Sequence, residues 1–209
     1  GTNLSRGVAN NYSSAPAMSE MRISAFGGAN VVGVINNTSS SPLMSHIEIY
    51  VSAATDTVTG IWNLGASEPR ISDSKIITSG IYKAHGMYNT NAQPTITNVE
   101  IRVSGGSFSN LAMANTGTAR PDISASKLIA SGTPSHGIYN FGAGASALVH
   151  HSTVSGDSRA VVAGDGSGAT ETLISNSILI GGTNQTPLCS FTFDGAGVEL
   201  SANGCSSAP

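Results

Sequence analysis

A unit of about 26 residues recurs along most of the 209-residue chain, and it constrains the fold more than any other feature. Its clearest marker is a proline, which stands at Pro16, Pro42, Pro69, Pro94 and Pro121. The same register continues without proline at Ser146 and Thr172, which gives seven units. A unit this short cannot bury a hydrophobic core by itself, so the units must stack on one another.

Apolar residues recur at fixed places within each unit. Two places after the marker stand Met18, Met44, Ile71, Ile96, Ile123, Leu148 and Ile174. Seven places after it stand Ile23, Ile49, Ile76, Ile101, Leu128, Thr153 and Leu179. A third inward column, five places after the marker, holds Met21, Ile47, Ser74, Val99, Ser126, His151 and Ser177. The alternation with polar residues predicts a strand with one buried face in every unit, and it predicts that His151 is buried.

The repeat therefore predicts an all-β fold, a right-handed parallel β-helix of about seven coils with about three short strands and three turns in each coil. Adjacent coils would lie about 4.8 Å apart, which is the spacing between paired strands. We expect residues 1–15 to end a preceding coil, residues 16–182 to form the β-helix, and residues 183–209 to form a C-terminal cap. This expectation includes a region of the same polypeptide upstream of residue 1.

Three polar columns support the stacked arrangement. An outward column six places after the marker alternates in charge before ending in a serine: Arg22, Glu48, Lys75, Glu100, Lys127 and Ser152. Opposite charges on facing strands stabilise their pairing. A second column predicts an asparagine ladder that is lost at Ala163, and its members are Asn10, Asn36, Asn63, Asn89, Asn115 and Asn140. The third is a turn column of Glu20, His46, Asp73, Asn98, His150 and Asn176.

The composition narrows the class of protein. Only 10% of the residues are charged and the net charge is −3, so the chain offers no basic patch for nucleic acid. No apolar run approaches the ~18 residues that would span a bilayer. Cys189 and Cys205 predict a disulfide that closes a C-terminal loop, with two free thiols as the alternative. A disulfide favours an extracellular or cell-surface location.

Several stretches resemble a known superfamily. The sequences PTITNVEIRVSGG and PDISASKLIASG, the second followed by HGIYN, resemble coils of the right-handed parallel β-helix superfamily that includes pectate lyases, polygalacturonases and phage tailspikes. The resemblance covers residues 7–182. It implies the fold, but the superfamily contains lyases, hydrolases, epimerases and adhesive modules. The sequence CSFTFDGAGVELSANGC also resembles the cysteine-paired caps of β-helical fibre proteins, which places the chain closer to the non-catalytic adhesive members.

The resemblance carries no catalytic site over to this chain. Pectate lyases of the superfamily bind calcium through clustered acidic residues and its hydrolases use neighbouring aspartates, but the 12 acidic residues here are scattered over the coils. We therefore expect no catalytic residue, no metal site and no cofactor. The alternative is a polysaccharide lyase or glycoside hydrolase that acts on acidic polysaccharide with a base, a proton donor and a charge neutraliser. Its candidate residues are His136, Arg159, Asp157 and His150.

The stretches TGIWN, AHGMYN and SHGIYN repeat a glycine, an apolar residue, an aromatic residue and an asparagine. The glycine, Gly137 in the last stretch, is expected to form a turn. If the asparagine points inward, the aromatic residue before it points outward. Aromatic rings beside polar groups suit sugars, because a pyranose presents an apolar C–H face and a rim of hydroxyls. The candidate ligand-binding residues are Trp62, Tyr88, Tyr139, Tyr50, Lys83 and His85.

These observations predict a non-catalytic recognition or adhesion module, secreted or displayed on a cell surface like a fibre tip. Its expected partner is a glycan or a cell-surface receptor, and neither a nucleic acid nor a membrane-spanning segment is expected. Two alternatives for the aromatic column stay open. The rings could pack against a neighbouring subunit in a homotrimer, or they could belong to the scaffold alone.

Overall fold

The computed structural model describes residues 4–52, 55–142, 144–163, 171–181, 192–193 and 199–200. The regular structure in these residues consists of β-strands, and adjacent strands are parallel with a spacing of about one repeat unit in the sequence. The prediction of an all-β parallel β-helix is therefore confirmed. Cys189 and Cys205, and with them the predicted disulfide of the C-terminal cap, lie outside the described residues.

The described strands form two sheets. The first, which we call the front sheet, contains β1 (Leu4–Asn10), β3 (Asn30–Asn36), β5 (Thr57–Leu64), β7 (Lys83–Thr90), β9 (Ser109–Thr116), β12 (Ser135–Phe141) and β15 (Arg159–Ala163). The second, which we call the bent sheet, contains β2 (Ala17–Phe26), β4 (Leu43–Ser52), β6 (Arg70–Ser79), β8 (Thr95–Ser104), β10 (Asp122–Ser124), β11 (Lys127–Ala130), β13 (Ser146–His150), β14 (Thr153–Gly156), β16 (Glu171–Ser175), β17 (Ile178–Gly181), β18 (Thr192–Phe193) and β19 (Glu199–Leu200).

Each complete coil combines one segment of the bent sheet with one front strand. In the earlier coils this segment is a single strand of 10 residues, such as β4, and in later coils it is divided into two short strands, such as β10 and β11. Within the described residues six coils are complete, from β2 to β15, with β1 before them and β16 and β17 after them. The bend gives each coil three extended segments, as the repeat length predicts.

A residue in the left-handed backbone region bends each segment of the bent sheet. These residues have φ between 46° and 54°, and they are Glu20, His46, Asp73, Asn98, Ala125, His151 and Asn176. The bend interrupts the backbone ladder, and serine hydroxyls replace the missing acceptors. The Oγ of Ser126 accepts the N–H of Val99 at 3.1 Å, and Ser152 accepts the N–H of Ser126 at the same distance. Because a buried N–H without an acceptor costs about 1–3 kcal/mol, these serines stabilise the bend.

The register of the sixth coil differs by one residue from the prediction. Ile123 pairs with Val149, so Val149 faces the core and Leu148 is 40% exposed. This coil has no marker proline, and two adjacent apolar residues fit either register. The hydrogen bond between Ser126 and Ser152 is formed in the observed register.

The same shift changes the roles of the two histidines in this coil. His151 is exposed at the bend, so the prediction that it is buried is wrong. Ser152 takes the inward position, and His150, which was predicted at the turn, ends strand β13. In the outward charge column Lys127 therefore faces Thr153 and not Ser152.

The asparagine ladder is buried and forms as predicted. At each step the Nδ2 of one asparagine donates to the Oδ1 of the next at 2.7–2.8 Å, through Asn10, Asn36, Asn63, Asn89, Asn115 and Asn140. Backbone pairing places Ala163 opposite Asn140, where the predicted loss occurs. The Nδ2 of Asn140 instead donates to Oγ1 of Thr172 at 2.7 Å, so a hydroxyl from the following strand continues the chain of hydrogen bonds.

The alternating charge column is also in register. Glu48 pairs with Arg22 on one side and with Lys75 on the other. The Nζ of Lys75 lies 3.4 Å from a carboxylate oxygen of Glu100. Glu100 also binds Arg102. Burial raises the pKa of Glu100, but the hydrogen bonds and positive charges of Arg102 and Lys75 together outweigh it and lower the pKa. These pairs are solvent-exposed, so each contributes at most about 1 kcal/mol and mainly supports the register.

Replacing Asn89 by alanine should break the ladder at its centre. The Nδ2 of Asn63 and the Oδ1 of Asn115 would lose their partners in a buried environment, at about 1–3 kcal/mol each. We expect the free energy of unfolding, measured by urea denaturation, to fall by about 2–5 kcal/mol. Thr90→Ala, at the next position but outside the core, should lower it by less than about 1 kcal/mol. Equal losses in the two variants would contradict a structural role for the ladder.

Candidate functional site

A glycine near the centre of several front strands allows the two sheets to approach closely. At Gly33 of β3, a Cβ atom would lie 2.6 Å from the carbonyl oxygen of Gly60 and 2.6 Å from Cγ2 of Ile49 on the bent sheet. No larger side chain fits at that distance, which is why glycine recurs there. Gly137 has the same place in β12, so the expectation that it forms a turn is wrong.

The alternation of side chains shifts by one residue at this glycine. In β7, Ala84 and Met87 belong to the core, while His85 and Tyr88 lie on the outer side of the sheet. Strand pairing extends these two positions into two outer columns. The first column contains Arg6, Val32, Thr59, His85, Leu111, His136 and Arg159. The second contains Ala9, Ile35, Trp62, Tyr88, Ala114, Tyr139 and Val162.

A groove of about 390 Å³ lies on this outer face, and we call it the aromatic groove. It is lined by Leu4, Asn30, Val32, Thr57, Thr59, Trp62, His85 and Tyr88. These residues come from the four adjacent strands β1, β3, β5 and β7, so the groove extends along the coil axis for about 14 Å, or three strand spacings.

Aromatic rings form one wall of the groove. Trp62 and Tyr88 meet edge to face with their centroids 6.2 Å apart, and the imidazole of His85 lies 5.4 Å from the Tyr88 ring. Beyond the groove, Tyr88 contacts Phe141 at 6.2 Å, and Phe141 contacts Tyr139 at 5.3 Å. These contacts hold the rings of the wall in fixed orientations.

Two polar groups of the groove residues have no hydrogen-bond partner among the described residues. The indole Nε1–H of Trp62 is buried and unpaired among the described residues. The buried imidazole of His85 likewise receives no hydrogen bond from the described part of the chain and borders the groove. The Nε1 atom of Trp62 is covered by protein atoms, so it is not open to a ligand in the groove. Polar groups in protein interiors are nearly always paired, so the unpaired imidazole of His85 beside the groove indicates a place for a polar ligand.

The charges on the front sheet are of one sign. Its described strands contain Arg6, Lys83 and Arg159 and no aspartate or glutamate, although the whole chain carries a net charge of −3. Burial, and after it the positive charge of Lys83, lowers the pKa of His85 to about 4. His85 is therefore neutral at pH 7 and can both donate and accept a hydrogen bond. Burial also raises the pKa of Tyr88, which stays protonated.

Only some of the six predicted ligand-binding residues lie at the groove. Trp62, Tyr88 and His85 line the groove, and Lys83 stands next to Thr57 at its edge. Tyr139 shares the column of Trp62 and Tyr88 but lies beyond Ala114. Tyr50 lies in β4 of the bent sheet, where its hydroxyl donates to Glu48 at 3.2 Å and Arg22 covers its ring at 4.6 Å. Tyr50 therefore does not belong to this groove.

The four residues of the catalytic alternative are only partly brought together. His136 of β12 and Arg159 of β15 are register partners, as predicted. Asp157 precedes Arg159 in a turn, where its Oδ2 accepts the N–H of Gly132 at 2.9 Å. His150 lies in the bent sheet, 3.7 Å from Asp122. Burial, and then the positive charge of Arg159, lowers the pKa of His136 to about 4. Its Nδ1 is buried and has no hydrogen-bond partner in the part of the chain that the structure describes.

Sequence reasoning missed several residues of the groove. Thr59, Val32 and Asn30 were not predicted because the shift at the central glycine is not visible in a simple alternation of apolar and polar residues. The aligned columns of the front strands contained the relevant information, since Thr59 precedes Gly60 just as His85 precedes Gly86. Leu4 was assigned to a preceding coil without a role at the site.

The described residues contain neither a helix that is long and apolar enough to cross a membrane nor a group of three or more potential metal ligands. Comparisons with protein-family models, curated proteins and solved structures give no match to this chain. What the structure shows of the resemblance is the parallel β-helix architecture itself.

Acidification should destabilise the protein through His85. The pKa of an unfolded histidine is about 6.5 and that of folded His85 is about 4, so between these values the unfolded chain binds a proton that the folded chain does not. Stability is therefore lost as the pH falls through this window. Urea denaturation at pH 7 and pH 4.5 should show a loss of roughly 2–3 kcal/mol from His85. His85→Gln should lose less stability on acidification than the parent, and His46→Gln, at an exposed histidine, should match the parent.

Proposed function

We propose that this protein is a non-catalytic recognition module that binds glycans through the aromatic groove. The observation that carries the proposal is the combination of a fixed aromatic wall with the neutral imidazole of His85 at the groove, which is unpaired among the described residues. Trp62 and Tyr88 offer apolar ring surface to the C–H face of a sugar. The neutral imidazole of His85, which borders the groove, offers hydrogen bonds to the sugar hydroxyls.

The charge of the front sheet indicates which glycans to test first. A face with Arg6 and Lys83 and no carboxylate in its described strands favours ligands that are neutral or negatively charged and opposes cationic ones. Neither Arg6 nor Lys83 forms an ion pair within the described residues. Binding of an acidic glycan should therefore weaken as salt is added, whereas binding of a neutral glycan should not.

The proposed setting is a secreted or surface-displayed protein whose β-helix presents the groove to a glycan or a cell-surface receptor. A low content of charged residues and a predicted disulfide between Cys189 and Cys205 support that location. A stacked β-helix suits this role because its outer columns can vary while the core columns stay the same.

Truncating the aromatic wall should weaken glycan binding. On an array of neutral and acidic glycans, Trp62→Ala and Tyr88→Ala should each reduce affinity for the best ligand by about tenfold or more, because each truncation removes a ring face. Tyr12→Ala is the matched control, since Tyr12 is 83% exposed and does not line the groove. Full binding by both groove variants would refute the proposal.

The same variants separate glycan binding from subunit packing. Sedimentation equilibrium of the parent protein gives its mass in solution. A homotrimer that becomes monomeric in both Trp62→Ala and Tyr88→Ala would assign the rings to an interface and would contradict an open groove. A parent monomer, or a trimer unaffected by both substitutions, agrees with the proposal.

A lyase or hydrolase that acts on acidic polysaccharide is the second candidate, because His136 and Arg159 are neighbours on adjacent strands. If it is correct, incubation with polygalacturonate, alginate or hyaluronan should give unsaturated uronates, detected by ultraviolet absorbance, or new reducing ends. His136→Ala should abolish the product, and Asp157→Asn should reduce it. The non-catalytic proposal expects no product from any of these polymers, and a product that depends on His136 would overturn it.

A further inference from the structure

Three exposed apolar side chains lie together at one corner of the β-helix. Ile81 and Tyr82 are in the turn before β7, and Phe108 is in the turn before β9. Their exposed fractions are 60%, 39% and 55%. Tyr82 and Phe108 pack ring to ring with centroids 5.0 Å apart and an angle of 32° between their planes. We call these two rings the aromatic platform.

The turns that carry the platform are held firmly by hydrogen bonds. The N–H of Phe108 donates to the carbonyl of Tyr82 at 2.8 Å, and the N–H of Ser107 donates to that of Ile81 at 2.9 Å. Asn110 is fully buried and closes the second turn, because its Oδ1 accepts the N–H of Gly106 while its Nδ2 donates to the carbonyl of Gly106. Apolar side chains fixed in an exposed position indicate a contact surface.

Lys83 connects the platform to the aromatic groove. Its Nζ lies 5.4 Å from the centre of the Tyr82 ring and 5.3 Å from that of Phe108. Its backbone pairs with Thr57, which lines the groove, and its charge reaches His85 inside the groove. The outer face along β7 therefore presents, in order, Tyr88, His85, Lys83 and the platform, without a carboxylate in that strand.

We propose that the platform is a second contact site for the glycan that occupies the groove, so that the protein binds an extended oligosaccharide across the front sheet. This inference rests on the proposed function. The span from Tyr88 to Tyr82 is six residues of nearly extended chain, or about 20 Å, which a disaccharide cannot bridge. A longer chain would stack one sugar on Trp62 and Tyr88, pass Lys83, and stack another on the platform. Lys83 would bind hydroxyl or acidic groups of the sugars between the two aromatic contacts.

The dependence of affinity on chain length tests this inference. Trp62 is the only tryptophan of the chain, so its fluorescence reports occupation of the groove directly. Di- and hexasaccharides of cellulose, chitin, mannan and polygalacturonate are titrated into the parent protein, Phe108→Ala and Phe26→Ala. Phe26 is a matched control because it is a phenylalanine with 74% exposure that lies in β2 of the bent sheet, away from the platform.

We expect the hexasaccharide of a recognised series to bind the parent at least tenfold more tightly than the disaccharide. Phe108→Ala should reduce hexasaccharide affinity by about tenfold and leave disaccharide affinity unchanged, because only the longer chain reaches the platform. Phe26→Ala should bind both lengths as the parent does. Equal hexasaccharide affinity in the parent and Phe108→Ala would overturn the inference.

Different results would rule out the platform as a second contact site and the groove as a glycan-binding site. If both lengths bind equally and Trp62→Ala abolishes binding by calorimetry, the groove binds a glycan alone and the platform has no part in it. If no oligosaccharide of the four series, and no glycan of the array, binds the parent, the proposed function fails and the inference fails with it. Loss of affinity for both lengths in Phe108→Ala would mean that the platform supports the fold of the groove, which also contradicts a separate contact site.

Discussion

The whole structure depends on parallel strands that repeat in register from coil to coil. Because each coil is too short to bury a core alone, a residue is buried only if the coils before and after it are in place. The buried asparagine ladder makes this requirement strict: a slip by one residue would place a side chain from the wrong face opposite an amide. The paired Asn36, Asn63 and Asn89 thus hold the coils in the register that also aligns the outer columns.

The close approach of the two sheets determines which side chains of the front strands face outward. Glycines such as Gly60 and Gly86 bring the front sheet against isoleucines of the bent sheet, so the core is filled by side chains. The same glycines shift the alternation of the front strands. In β7, His85 and Tyr88 therefore both face outward, while Gly86 and Met87, which lie between them in the strand, face the core. The groove is therefore a direct result of core packing, and the side chains that line it can be changed by substitutions that leave the core untouched.

The sequence predicted the parallel β-helix, the ladder and the outward direction of Trp62 and Tyr88, because a regular repeat converts position in the chain into position in space. The predicted register was wrong in a coil that has no marker proline. In the sixth coil, adjacent Leu148 and Val149 fit two registers, and the hydrogen bond of Ser152 to Ser126 depends on contacts between coils that are not visible in one unit. Tyr50 was predicted to lie near Trp62 because the aligned repeat units do not show that the two residues belong to different sheets. The platform at Tyr82 and Phe108 was missed because turns vary from coil to coil.

The hydrogen bonds of the asparagine ladder all run in one direction. Every described step donates from Nδ2 of the earlier coil to Oδ1 of the later coil. The amide dipoles therefore add along the axis, as peptide dipoles add along an α-helix, and each bond polarises the next. The interior of the stack is electrically polar although its residues are uncharged. A coil stacked in the reverse direction would place two donors or two acceptors opposite each other. The ladder therefore favours one direction of stacking as well as one register.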